Sequence, residues 1–182
     1  AKNSSTIVVG NAVKAISLSA SNATVDKGKT LKLTASITPE DVLSKKISWT
    51  SSNTKVATVS TAGVVSAKGV GKATITATAT DGSGVSKTVD ILVVQKVTSL
   101  SSSSRRIILF EGSSSKGVVK VSPADASNKA IKWSSDSNYV AAVDQNGVIT
   151  AKRAGEATIT AIAADGSNKK TSIKVIVEPA NP

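Results

Sequence analysis

The sequence predicts an all-β protein of two tandem antiparallel β-sandwiches in an extended arrangement, and three observations predict it. The first is an internal repeat: ISWTSSNTKVATVSTAGVVSAKGVGKATITATATDGS, from Ile47 to Ser83, returns 84 residues later as IKWSSDSNYVAAVDQNGVITAKRAGEATITAIAADGS, from Ile131 to Ser167. The copies align without a gap and share 20 of 37 positions, so each is read as one folding unit. The second is strict alternation. Ala73, Ile75, Ala77 and Ala79 fall on one face of an extended chain, and Thr74, Thr76, Thr78 and Thr80 fall on the other, the period-two pattern of a strand with one buried face. The third is turn chemistry at regular spacing, with no stretch of helical period. Seven or eight short strands in about 84 residues make a two-sheet sandwich.

Taken in order, Ile7-Val8-Val9 stands 84 residues before Ile91-Leu92-Val93. Residues 1–12 are therefore expected to be the tail of a preceding repeat, in a chain drawn from a longer array. The units are expected at 13–95 and 96–178, with a short tail at 179–182. Val13, Ile16 and Leu18 open the first, Asp26-Lys27-Gly28 turns the chain, and Leu31, Leu33, Ala35 and Ile37 alternate up to Pro39 as one strand. Ile47 and Trp49 begin the next strand, Val56 and Val59 follow, and Ala62-Gly63 turns into Val64-Val65. After the alternating run, Asp81-Gly82-Ser83-Gly84 makes a hairpin into the strand ending at Val94. Only Gln95 and Lys96 separate that strand from Val97. So short a linker predicts a semi-rigid rod of roughly 70–80 Å.

Composition excludes several function classes. The chain has 182 residues, 40% of them apolar and 19% charged, too apolar for a disordered polyelectrolyte. No apolar run approaches the roughly 18 residues of a membrane span, and no leader precedes the first strand, so a soluble mature segment with no membrane insertion is expected. Cysteine and histidine are absent, which removes disulfides, thiolate chemistry, imidazole bases and Cys/His metal sites. The net charge of +11 is spread over both units. Most of the cations are lysines, and there are only two Trp, one Tyr and one Phe. Forked recognition of phosphate or guanine favours Arg over Lys, and base-stacking platforms are missing, so no specific nucleic-acid partner is expected.

The chain resembles the group 2 bacterial immunoglobulin-like domains found in intimin- and invasin-type surface proteins. The resemblance rests on V-x-x-I-x-L at Val13 to Leu18, I-T-P at Ile37 to Pro39, I-S-W-T-S-S at Ile47 to Ser52, V-A-T-V at Val56 to Val59, and G-K-A-T-I-T-A at Gly71 to Ala77. The second unit repeats it with V-S-P at Val121 to Pro123, I-K-W at Ile131 to Trp133, and G-E-A-T-I-T-A at Gly155 to Ala161. It implies cystine-free immunoglobulin-like sandwiches on a bacterial surface, on a phage tail, or attached to a secreted enzyme. The function expected from it is a non-catalytic stalk or adhesive module; the alternative is an accessory carbohydrate- or wall-binding module.

Structural roles come first for the repeated residues. Trp49 and Trp133 are expected to point inward as core residues, each burying on the order of 150–250 Å². One stretch departs from the repeat. Arg105-Arg106-Ile107-Ile108-Leu109-Phe110 stands where the first unit has Ser21-Asn22-Ala23-Thr24-Val25-Asp26. With Ile107 and Leu109 inward, Ile108 and Phe110 lie outside beside two arginines, the composition of a contact surface. A register slip of one residue would reverse this assignment. Arg105, Arg106, Ile108 and Phe110 are thus the candidate partner surface, together with Tyr139, which replaces Lys55. Expected partners are an anionic cell-wall polymer, a host surface glycan or protein, and adjacent repeats of the same chain. A monomer without cofactor or metal, outside the cell, is expected.

Catalysis finds no paired nucleophile and base. Ser113-Ser-Ser-Lys116 has S-x-x-K spacing, but Ser52-Asn-Thr-Lys55 has it too, and the acyl-transfer motif requires a helix. Asp81 and Asp165 precede glycine in hairpin loops, where Asp suits turn geometry; a calcium site would need further converging oxygens.

Overall fold

The computed structural model describes residues 10–180; Ile7 to Val9, and with them the preceding-repeat expectation, lie outside the described residues. Two compact units divide between Val94 and Gln95. The first contains β1 (Ala15–Leu18), β2 (Asn22–Asp26), β3 (Thr30–Lys32), β4 (Ala35–Thr38), β5 (Ile47–Ser51), β6 (Ala57–Val59), β7 (Val64–Ala67), β8 (Gly71–Ala79) and β9 (Ser86–Val94). The second repeats them as β10 (Ser99–Ser102), β11 (Arg106–Phe110), β12 (Ser114–Lys116), β13 (Val119–Ser122), β14 (Ile131–Ser135), β15 (Ala141–Val143), β16 (Val148–Ala151), β17 (Gly155–Ala163) and β18 (Lys170–Glu178).

Each unit is a sandwich. In the first, a four-stranded sheet ordered β2-β9-β8-β5 faces a three-stranded sheet ordered β3-β7-β6, with the pair β1-β4 alongside; the second has β11-β18-β17-β14, β12-β16-β15 and β10-β13. The alternating runs are the long strands β8 and β17. Ala73, Ile75, Ala77 and Ala79 are buried, as are Ala157, Ile159, Ala161 and Ala163, and the threonines between them share the outward face. Ala73 and Ile75 meet Val65, Val89, Ile91 and Val93 in unit 1, and Ala157 and Ile159 meet Ile149, Ile173, Val175 and Val177 in unit 2, while Ala77 and Ala79 pack with Val13, Ile16 and Val42. The core is therefore aliphatic and β-branched, the side chains that fit a pleated surface.

Two expectations are corrected by the pairing. Leu31 to Ile37 is not one strand: β3 pairs with β7 and β4 with β1, so the chain changes sheets at Leu33-Thr34. Leu33 sits at that corner, 1% exposed, its N–H bonded to the Gly63 carbonyl at 2.9 Å. Period-two alternation continues through a sheet-switching corner because both halves keep one face inward, Leu31 and Leu33 on one apolar cluster and Ala35 and Ile37 on the next. The second correction concerns direction. The sandwich is not wholly antiparallel, since β2 runs parallel to β9 and β11 parallel to β18. Residues 19–21 carry the first strand from one sheet to the other without a hairpin, so β2 arrives beside the last strand heading the same way.

Trp49 and Trp133 are half-buried and pack against the aliphatic clusters, Trp49 against two of them. Each ring lies over a turn glycine. A Cβ on Gly147, whose φ is +77°, would fall 2.8 Å from the Trp133 ring. Glycine there answers both demands, the left-handed turn and the close ring.

Candidate interaction surface

The departure of unit 2 takes physical form at β11, the edge of the four-stranded sheet. Its register with β18 sets Arg106 beside Lys174, Ile108 beside Ile176 and Phe110 beside Glu178. Alternation puts Ile107 and Leu109 against the core and leaves Ile108 and Phe110 each 50% exposed, without a register slip. Arg105 and Arg106 are exposed at the start of the strand, and the Arg105 carbonyl accepts a bond from the Lys174 N–H at 2.9 Å. Lys174 pairs in turn with Glu156 on β17 at 2.9 Å. Unit 1 presents Thr24 and Asp26 on this edge. Its β8–β9 charge pattern is reversed as well, with Lys72 where Glu156 stands and Asp90 where Lys174 stands, and Asp90 accepts the Thr74 hydroxyl at 2.8 Å.

Tyr139 is not on this sheet. It occupies the turn between β14 and β15, 80% exposed, and borders a shallow groove of about 400 Å³ with Asn138, Lys152 and Arg153. The loop from β16 to β17 links the two places, because the Ala154 N–H donates to Glu111 Oε1 at 2.6 Å and Glu111 follows Phe110. Lys152 and Arg153 escaped the sequence reading because surface cations are common in this chain; the signal was Arg153 standing where unit 1 has Gly69.

The aspartates of the hairpin loops have a structural task. Asp81 Oδ2 accepts the Val13 N–H at 2.7 Å and Oδ1 accepts the Ser83 hydroxyl at 2.6 Å; Asp165 repeats this with the Val97 N–H at 2.6 Å and the Ser167 N–H at 2.9 Å. Each carboxylate thereby ties the start of its unit to the far hairpin. The Ser83 hydroxyl and the Val13 N–H hold the Asp81 carboxyl below the usual carboxylate range. Burial pushes Asp165 upward, but its bonds from Ser167 and Val97 outweigh that, and it too lies below the usual value. Among the described residues no group of three or more acidic side chains converges as a cation site. Ser113 lies at the turn before β12, its hydroxyl donating to the Phe110 carbonyl at 2.6 Å, on no helix that could aim Lys116 at it. Among the described residues no helix is long and apolar enough to cross a membrane.

Comparison with known proteins places this geometry. An uncharacterized protein of Clostridium acetobutylicum is 32% identical over 163 residues, which is 90% of this chain and 17% of that protein. An Ig-like virion protein of Serratia phage KSP90 is 31% identical over 159 residues, 85% of this chain and 62% of its own length. A 3-O-alpha-D-galactosyl-alpha-L-arabinofuranosidase of Bifidobacterium longum is 44% identical over 73 residues, 40% of this chain and 6% of the enzyme. The chain thus spans less than two thirds of each of these relatives. Its residues 12–89 and 96–175 each match the bacterial Ig-like domain (group 2). With a sandwich in each matched stretch, the chain belongs to the group 2 bacterial Ig-like domain family and carries two such domains in tandem.

Proposed function

We propose that this tandem segment serves a bacterial surface or secreted protein as a non-catalytic stalk and adhesive module, in which unit 2 contributes the binding surface. The observation that carries this reading is the outer edge of β11. Ile108 and Phe110 are half exposed beside Arg105 and Arg106, where unit 1 has Thr24 and Asp26 on an equivalent strand. Apolar side chains held outward next to cations fit a partner surface with anionic groups at its rim. The partner is an anionic wall polymer, a host surface glycan or a host protein, and the place of action is outside the cell. A second reading, an accessory wall- or carbohydrate-binding module of a phage tail protein or secreted enzyme, is favoured by the named virion and arabinofuranosidase relatives.

Cosedimentation with bacterial walls, walls stripped of teichoic acid, and host matrix tests it, each at low and high salt. The expected result is salt-sensitive pelleting that weakens in Phe110→Asp with Ile108→Thr, while the melting temperature stays close to that of the unaltered protein, since exposed positions usually change stability by no more than about 0.5 kcal/mol. Pelleting indifferent to this pair of substitutions removes the β11 edge from the binding surface.

A further inference from the structure

The second feature that sets unit 2 apart lies at the end of the sandwich where β17 begins. The turn carrying Tyr139 is held rigidly. The Ser135 hydroxyl donates to the Ala141 carbonyl at 2.6 Å, the Thr158 N–H donates to Asp136 Oδ1 at 2.7 Å, and the Val140 carbonyl accepts the Lys152 N–H at 2.8 Å and the Arg153 N–H at 3.3 Å. The neighbouring loop is pinned in turn by the Ala154 bond to Glu111. On this fixed frame stands the protein's single tyrosine, 80% exposed, in a groove it shares with Asn138, Lys152 and Arg153. Among the described residues no hydrogen bond or ion pair engages the side chains of Tyr139, Lys152 or Arg153.

The same frame in unit 1 holds Thr54, Lys55, Lys68 and Gly69. No aromatic ring and no guanidinium are present there. A Cβ on Gly69 would meet the Lys55 carbonyl oxygen at 2.6 Å, so unit 1 excludes a side chain at the position where unit 2 displays Arg153. The core gains nothing from Tyr139 or Arg153, and solubility is served equally by lysine.

We infer that the Tyr139 groove of unit 2 is a binding site for acidic polysaccharide. The ring offers an apolar platform for the C–H face of a sugar and a hydroxyl at its rim. Arg153 presents a planar fork that matches a carboxylate, sulfate or phosphate group, and Lys152 adds a point charge beside it. Asn138 supplies both donor and acceptor for sugar hydroxyls. A frame rigid before binding lowers the ordering cost of engaging a flexible polymer. Uronate, sulfated and phosphate-bearing chains share this chemistry. The site deepens the adhesive reading and rests on it in one respect, that unit 2 is the binding unit.

Biolayer interferometry on immobilised polygalacturonate, chondroitin sulfate, purified wall teichoic acid and neutral dextran tests the site with the full chain at physiological salt. The expected result is binding to at least one acidic polymer and none to dextran, weakened by about tenfold or more in Tyr139→Ala and in Arg153→Gly. Tyr139→Phe retains binding, because the platform survives. Lys170→Ala, at the far end of the β17–β18 hairpin, shifts it less than about twofold. Melting temperatures within about 2 °C of the unaltered protein certify the fold of each variant. Failure to bind any acidic polymer, equal binding to dextran, or equal weakening by Lys170→Ala and Arg153→Gly overturns the site. Wall pelleting that survives Tyr139→Ala but not the paired Phe110 and Ile108 changes overturns the site and leaves the adhesive function standing. Binding to the pure polymers without pelleting on walls or matrix overturns that function and leaves the site.

Discussion

Unit 1 keeps its apolar volume on β3 and the corner that follows it, where Leu31 and Leu33 pack against the core. Unit 2 has Ser115 and Gly117 at those positions. Its core is filled instead from the opposite sheet and the middle strands. Ile107 and Leu109 on β11 replace Ala23 and Val25, while Ile149 and Ile173 replace Val65 and Val89. The Trp133 ring also leans over Gly117, with its nearest atom 3.0 Å from where a Cβ would stand. Two sandwiches of one fold thus reach dense packing by moving side-chain volume between facing strands. The comparison divides the Arg105–Phe110 departure into two parts. Ile107 and Leu109 repair the core, whereas Ile108 and Phe110 answer no packing demand and stay outside, which is why the surface reading rests on them.

The largest break in this comparison is Leu33→Ala. Unit 1 has no larger residue on β2 to cover the loss, and truncating a fully buried Leu is expected to cost it about 3–4 kcal/mol. Calorimetry of the whole chain should show one transition moving down and the other holding still. Adding Ala23→Ile and Val25→Leu, the unit 2 solution, should recover about 1 kcal/mol or more through their coupling with position 33. No recovery would mean that the two cores are not exchangeable and that the volume shift is coincidental.

Tryptophan replacement sharpens the same point at lower cost. Trp133 covers both Gly117 and Gly147, whereas Trp49 lies over Gly63 with Leu33 still beside the turn. Because both rings are half-buried, Trp133→Ala is expected to destabilise unit 2 by about 3 kcal/mol and Trp49→Ala to destabilise unit 1 by about 2 kcal/mol. Urea unfolding followed by the fluorescence of the remaining tryptophan and by circular dichroism separates the two units. Equal losses would remove the proposed extra role of the Trp133 ring.

The smallest effect concerns what the units have in common. Asp81 and Asp165 both have carboxyl groups held below the usual range. A lowered folded-state value means that their bonds stabilise the protein above the unfolded value of about 3.9 and that this stability is lost as the pH falls through the folded value. The melting temperature should therefore drop on acidification below about pH 4, and Asp81→Asn with Asp165→Asn should flatten that drop while lowering stability at neutral pH. A pH profile unchanged by the two substitutions would show that the hairpin ties are not the acid-sensitive element.

The sequence by itself determined the tandem repeat of two units, the all-β class and the inward faces of β8 and β17. Those features are written in periodicity and in repeated turn residues, which are local. It also marked Phe110, Ile108 and Tyr139 as departures from the repeat. Tertiary structure alone decided the rest. Alternation cannot reveal that Leu31 to Ile37 changes sheets, because the buried face is shared across the corner, nor that β2 and β11 run parallel to the last strand, because direction depends on where the chain lands. The half-burial of the tryptophans, the tie from Asp165 to Val97, and the groove that Tyr139 shares with Arg153 likewise join distant segments. Each depends on which strands become neighbours, and the closing of the sandwich chooses those neighbours.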